Sequence, residues 1–392
     1  MDRENKEKVL KLIQELENEQ LEFLIALCEQ NSYTYHKRGS DRVSGMVCEK
    51  LGGVFPVHRV MHQEEVGDLH ILKTNQRGKR VYLLGHTDTV FPPDHPFQTC
   101  WKEGEWLCGP GTADMKGGLS VMVYALLALK KAGNIELPPM TMILGADEEI
   151  GSAFSRMTYE QESKKALLCI VGECAGQNGE IVLSRNGKAG GRMETVGLDS
   201  HVGAAIQEKA SAILEIAHKV IAFESLNGVF PGVRANVGRI EGGLGPGTIP
   251  ARASFLFDLR WQKEEHFARL LEKVQKIASV RNHPLCTSQV TILNHRPAMS
   301  PEKKTDKFVS LLRRIAEELG QEVSSEHRQG TSDGNFFGAN GVPTLDGSGP
   351  IGINDHTPRE RILVSSLKAR TTLLALFLLG LKDAFTESDS AT

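Results

Sequence analysis

The stretch at residues 81–90, VYLLGHTDTV, decides how the rest of the chain is read. Val81, Tyr82, Leu83 and Leu84 run without a polar break into Gly85. Such a run suits a strand buried on both faces. His86 and Asp88 follow, and in extended chain residues two apart share a side. An imidazole and a carboxylate therefore face one point, beyond the carboxyl end of a strand, where open α/β sheets place their ligands. This is half of a metal site. With 13 His and 49 Asp plus Glu in the chain, an H-x-D also arises by chance, so the reading depends on what surrounds it.

The same pattern recurs twice. The apolar run 140–146 (MTMILGA) ends in Asp147, Glu148 and Glu149, and the run 166–172 (ALLCIVG) ends in Glu173. Parallel strands of one sheet deliver their carboxyl ends to one edge, so the three sets converge there. Between the first two runs lies CGPGTADMKGGLSVMVYALLALKKAG (108–133), a Gly-rich loop leading into an apolar helix over about 116–132 and stopped by Gly133. The loop lacks both the G-K-[ST] ending and the G-x-G-x-x-G spacing of phosphate cradles. It does hold Asp114. There a carboxylate is either favoured by the helix dipole or a metal ligand. Near the other end, a Gly-rich loop at 347–353 runs into Asn354, Asp355 and His356.

Around these motifs the chain reads as helices at 5–29 and 42–51 and strands at 54–61 and 68–74. From about 180 the texture changes to strand (188–197), helix (204–223), strand (233–240), strand (251–261), helix (263–280) and strand (287–294). This is the order of a ferredoxin-like split unit, and it contains no acid cluster. The expected fold is α/β: a catalytic domain with a mainly parallel sheet flanked by helices, interrupted by an inserted α+β domain. The expected borders are 1–186, 187–296 and 297–392. After the insertion come a helix at 303–319, a loop at 330–334, a strand at 341–345, a helix at 365–384 and a frayed tail.

The length of 392 residues suits two or three domains. With 40% hydrophobic and 24% charged residues and a net charge of −3, the composition is that of a soluble globular protein without a nucleic-acid partner. The charged start MDRENKEKVL does not read as a signal peptide, and no apolar run is expected to span a membrane. Seven cysteines without a C-x-x-C fit reduced thiols and a cytoplasmic location.

The candidate residues are His86, Asp88, Asp114, Glu148, Glu149, Glu173, Asp355 and His356. Imidazoles and carboxylates without thiolate suit zinc or a similar divalent ion. Two His and several acids exceed one tetrahedral site and suit two ions sharing a bridging carboxylate. Such a centre lowers the pKa of bound water toward about 7 and polarises a carbonyl, and an acid left off the metals serves as general base.

GHTDTV, GPGTADMKGG, GADEEIGS, VGE, the inserted domain beginning near DSHVG and the terminal NDHT together resemble the dinuclear zinc metallopeptidase family. That family includes carboxypeptidase G (glutamate carboxypeptidase), succinyl-diaminopimelate desuccinylase, acetylornithine deacetylase and aminoacylase. SRNGKAGG and RANVGRIEGG lean toward the carboxypeptidase G branch. The resemblance implies two zinc ions per chain, in a site that also accepts cobalt or manganese. His86 and Glu173 would complete the first site and Glu149 and His356 the second. Asp114 would bridge them, with a cis peptide bond to Met115. Glu148 would be the general base. Asp88, first read as a ligand, would instead orient His86 by hydrogen bonding.

The inserted domain would act as lid and homodimer interface. His201 in SHVG would reach an active site and stabilise the oxyanion; its plain alternative is a surface His beside a helix start. Asn236 and Arg296 would hold a substrate carboxylate, the Arg bidentately; for Arg296 alone a surface salt bridge is the alternative. Gly330 and Thr331 would contact substrate.

The implied reaction is hydrolysis of an amide by a metal-bound hydroxide, releasing a C-terminal amino acid, glutamate by branch likeness, from an N-acyl amino acid or short peptide. The alternatives are a deacetylase or desuccinylase of a biosynthetic intermediate, and a non-catalytic metabolite-binding relative. Two features depart from the pattern: SHVG replaces the usual AHAG, and 31–45 (NSYTYHKRGSDRVSG) is unusually polar. Asp355 reads as a solvated loop acid.

Overall fold

The computed structural model describes residues 2–133, 135–204 and 209–386, with side chains described to 382. The chain divides into two compact units. One comprises 1–184, 301–328 and 332–392, the other 185–300 with 329–331. Part of the helix expected at 204–223 and most of the expected frayed tail lie outside the described residues.

The first unit opens with α1 (Arg3–Glu29) and α2 (Lys37–Leu51), then the hairpin β1 (Val57–Met61) and β2 (Leu69–Lys73). There follow β3 (Arg80–His86), α3 (Gly117–Ala132), β4 (Met140–Gly145), α4 (Arg156–Ser163) and β5 (Ala166–Val171). The second unit runs β6 (Gly187–Val196), α5 (Ala212–Glu224), β7 (Arg234–Gly242), β8 (Arg252–Trp261), α6 (Glu265–Ser279) and β9 (Thr287–Arg296). The chain returns to the first unit with α7 (Asp306–Glu318), α8 (Gly334–Ala339), β10 (Thr344–Leu345) and α9 (Val364–Thr386).

The first unit is a layered α/β structure around a six-stranded sheet of order β1-β2-β4-β3-β5-β10. β3 pairs parallel with both β4 and β5, and β10 parallel with β5; only β1 and β2 run against their neighbours. The unbroken apolar runs are explained by burial on both faces. Val81 and Leu83 join the core under α1, α3, α7 and α9, while Tyr82 and Leu84 join a second cluster with Tyr159, Phe336 and Phe337. Two helical segments, Thr112–Ala132 and Val364–Lys382, are in fact long and apolar enough to cross a bilayer, contrary to expectation. Their windows are 89% and 72% buried inside the protein, so core burial accounts for their apolarity.

α3 starts with Gly117 and Gly118 because its first turn lies against the backbone leaving β5. A Cβ on Gly118 would sit 1.6 Å from the Gly172 carbonyl oxygen. Ala in place of Gly within a helix ordinarily gains about 1 kcal/mol. Here the overlap wins, and Gly118→Ala is expected to cost roughly 1–3 kcal/mol or more, read as a lowered Tm. An unchanged or raised Tm would contradict this close approach.

The second unit packs α5 and α6 on one face of an antiparallel sheet of order β7-β8-β6-β9. FLFDLRW alternates as a half-buried strand should: Phe255, Phe257, Leu259 and Trp261 enter the core, and Leu256, Asp258 and Arg260 lie outside it.

Candidate dinuclear metal centre

β3, β4 and β5 end side by side, and each delivers its polar residue at the same edge. His86 closes β3 and is 1% exposed. Asp114 lies in the kinked segment Thr112–Lys116 before α3, with non-helical φ of −120° and ψ of 95°, and its peptide bond to Met115 is cis. Glu148 and Glu149 form a 3-10 turn, Glu148–Ile150, after β4, and Glu173 follows β5. His356 arrives on the loop between two short antiparallel strands, Gly352–Ile353 and Arg361–Leu363. Its φ of 59° and the 61° of Asn354 are left-handed, a conformation that costs a residue with a Cβ roughly 1–2 kcal/mol.

These side chains sort into two sets around one carboxylate. His86 Nε2 lies 2.9 Å from Asp114 Oδ1 and 3.6 Å from Glu173 Oε1. His356 Nε2 lies 3.0 Å from Asp114 Oδ2 and 2.9 Å from Glu149 Oε2. Each oxygen of Asp114 therefore faces a different imidazole, and each imidazole has one further acid. Burial opposes a charged Asp114, but hydrogen bonds from His356 and His86 outweigh it and hold the carboxyl well below its usual range. The carboxylates of Asp114 and Glu149 push His356 up to about 11. Burial and the nearby Asp114 raise Glu149. So much negative charge in a largely buried place calls for cations, and donors that are all nitrogen or carboxylate oxygen fit two borderline divalent ions.

Asp88 is fully buried and does not join either set. Its Oδ1 lies 3.3 Å from His86 Nδ1, which is also 3.1 Å from the Asp88 carbonyl oxygen. Either acceptor directs the Nδ1 proton away and leaves Nε2 facing Asp114 and Glu173. The same carboxylate accepts from the backbone N–H groups of Glu148 and Glu149, both at 3.3 Å, and from Thr34 Oγ1 at 2.8 Å. One side chain thus orients His86 and positions the turn that carries both glutamates.

Two supports of the site were not foreseen. The polar stretch 31–45 holds the strand end in place. The Tyr33 segment bridges in parallel to Thr89, the Thr89 N–H donates to the Ser32 carbonyl at 2.9 Å, and Ser44 Oγ lies 3.3 Å from Thr87 Oγ1. Glu360, 1% exposed, accepts from the N–H groups of Gly111 (3.0 Å), Ala113 (2.8 Å) and Asp114 (3.0 Å). Burial pushes its carboxyl up to about 8. The amides of the Gly-rich loop are therefore taken up by this chain's own carboxyl group. Asp355 is exposed, as a solvated loop acid would be.

The remaining expected residues lie in the second unit. Arg296, at the end of β9, is buried, and its Nη1 donates to Thr331 Oγ1 at 3.2 Å. Gly330 accepts from Arg185 Nη1 at 3.4 Å through its carbonyl. Asn236 is exposed on β7, and His201 is exposed in a two-residue strand paired with Thr248–Ile249. No hydrogen bond joins His201 or Asn236 to Arg296 or Thr331 among the bonds described.

The family model described as "Peptidase family M20/M25/M40" matches residues 82–380. Carboxypeptidase G2 of Pseudomonas sp. (strain RS-16) is 28% identical over 328 residues, covering 81% of this chain and 77% of that protein. Succinyl-diaminopimelate desuccinylase of Nitrosococcus oceani is 27% identical over 328 residues, covering 78% and 85%. Among solved structures, the aminopeptidase PepT from Bacillus cereus superposes with a TM-score of 0.72 at 23% identity, covering 93% of this chain and 98% of that one. The last likeness concerns the fold.

Proposed function

Because the chain belongs to peptidase family M20/M25/M40, we propose that it is a dinuclear zinc hydrolase of amide bonds that releases a C-terminal amino acid, glutamate in the preferred case, from N-acyl amino acids or short peptides. The observation that carries this reading is Asp114, whose two oxygens face the Nε2 atoms of His86 and His356. His86, Asp114 and Glu173 would hold one ion, and His356, Asp114 and Glu149 the other. Two divalent ions held by these residues would supply an activated water and polarise the scissile carbonyl. Glu148 takes the proton from the attacking water and returns it to the leaving nitrogen as the C–N bond breaks. Arg296 and Asn236 hold the carboxylate of the departing amino acid, and Thr331 steadies the Arg296 fork. His201 stabilises the oxyanion. The second unit serves as lid and as the interface of a homodimer. Exposed apolar side chains such as Ile221 (71%) and Leu244 (97%) support that role.

The preference for glutamate rests on likeness to carboxypeptidase G2. A second reading, removal of a succinyl or acetyl group from a biosynthetic amine, is favoured by the desuccinylase relative at nearly the same identity. One experiment separates them: metal content by mass spectrometry, with product analysis on N-acyl-glutamates, dipeptides, acetylornithine and succinyl-diaminopimelate. Two ions per chain with glutamate release is the expected result. Preferential turnover of the acylated amines would move the substrate to the second reading. Absence of both metal and turnover would overturn the hydrolase reading, and sedimentation of the same sample as a monomer would overturn the dimer.

A further inference from the structure

The hairpin at the sheet edge carries a second group of metal-type donors that shares no residue with the centre around Asp114. His58 lies on β1 and His70 on β2. His58 pairs with Leu72, so His70 is its diagonal neighbour two residues along, on the same face of the hairpin. α2 brings Cys48 to them. His58 Nε2 and His70 Nδ1 are 2.9 Å apart, and Cys48 Sγ lies 3.6 Å from His70 Nδ1 and 3.9 Å from His58 Nε2. The three donor atoms all fall within 4.8 Å of one another.

We infer that Cys48, His58 and His70 form a separate binding site for one thiolate-seeking metal ion of the zinc type. With Zn–S near 2.3 Å and Zn–N near 2.05 Å, tetrahedral geometry places nitrogens about 3.3 Å apart and sulfur about 3.6 Å from nitrogen. The observed spacings differ from these by only a few tenths of an ångström. The chemistry of the donors agrees. Two imidazoles in contact cannot both carry a proton between them. Burial and the neighbouring His58 lower the pKa of His70, keeping it neutral and able to coordinate. Burial pushes the Cys48 thiol up to about 11, a state that a bound cation reverses by stabilising the thiolate. His58 is exposed and Cys48 half-buried, so an ion can enter from solvent and a water can fill the fourth position. The ion would clamp α2 to the edge hairpin.

The test uses the full chain, stripped with a chelator and titrated with cobalt(II). The centre around Asp114 offers only nitrogen and oxygen donors, so it gives no thiolate-to-cobalt charge-transfer band. Its failure and the failure of this site are therefore distinguishable. The expected result is a near-ultraviolet thiolate band whose full intensity corresponds to one thiolate-bound cobalt per chain, over and above any cobalt taken by the centre around Asp114, and which is displaced by zinc and lost in Cys48→Ser and His70→Ala. In the unsubstituted chain, zinc should also slow alkylation of Cys48 at least about tenfold, because only the free thiolate reacts; peptide mass spectrometry reads this even where a variant fails to fold. A missing band, a band that persists in Cys48→Ser, or a Cys48 alkylation rate indifferent to zinc would overturn the site.

Discussion

Glu148→Ala is expected to lower kcat by about 10²–10⁴-fold, the range for loss of a positioned general base, while both ions stay bound. The geometry separates the two readouts. Glu148 and its neighbour Glu149 hang from one short turn, and that turn is held through their backbone N–H groups by Asp88. Truncating the Glu148 side chain leaves both bonds in place. Glu149 keeps its position beside His356, and His86 keeps its orientation. Metal content measured alongside steady-state kinetics checks the claim. Retained activity would remove Glu148 from the proposed mechanism. A variant that lost metal together with activity would instead make Glu148 a ligand.

Asp114→Ala is expected to have the larger effect on the site: loss of both ions and of all measurable turnover, with the fold kept. The other ligands each serve one set, whereas Asp114 serves both through separate oxygens. His356→Ala should therefore leave an ion at His86, Asp114 and Glu173, while Asp114→Ala leaves neither set complete. The loop itself should survive. Glu360 holds the N–H groups of Gly111, Ala113 and residue 114 through the backbone, independent of the side chain there. Metal analysis and circular dichroism on both variants read the difference. Equal metal loss from the two would argue against a bridging role.

What the sequence disclosed of the site depended on where each residue stands relative to a recognisable element. His86, Glu148, Glu149 and Glu173 follow unbroken apolar runs, and the parallel pairing of β3 with β4 and β5 turns that shared position into proximity. The antiparallel unit was legible from the two-residue alternation of FLFDLRW. α2 was legible only from about its second turn. Its buried face begins with Gly39 and Ser40, so the apolar periodicity starts late. Glu360 and Thr34 gave no signal at all. Each acts across a large separation in the chain, as a carboxylate on loop amides and a hydroxyl on Asp88, and such partners follow no local spacing. The family resemblance supplied the sharing of Asp114 between two ions and the cis bond that follows it. Nothing in the spacing of the acids distinguishes a bridge from an ordinary ligand.

The first unit is interrupted and the second is nearly continuous along the chain, which has a consequence for the order of assembly. α1 packs against α9, with Gln20 Nε2 donating to Thr371 Oγ1 at 2.7 Å in the buried interior. An early element is thus completed by one made much later. At about 5–20 residues per second of synthesis, the stretch that forms β6 to β9 has its own core in hand well before α9 leaves the ribosome. The inserted unit should mature first, and the part of the first unit that precedes it, with four of the five proposed ligands, should wait for α9. Pulse-labelling of a nascent chain would show amides of Arg252–Trp261 protected ahead of those of Arg80–His86. On this timetable His356 is the last of the proposed ligands made, and the proposed two-ion site is complete only after the inserted unit has formed.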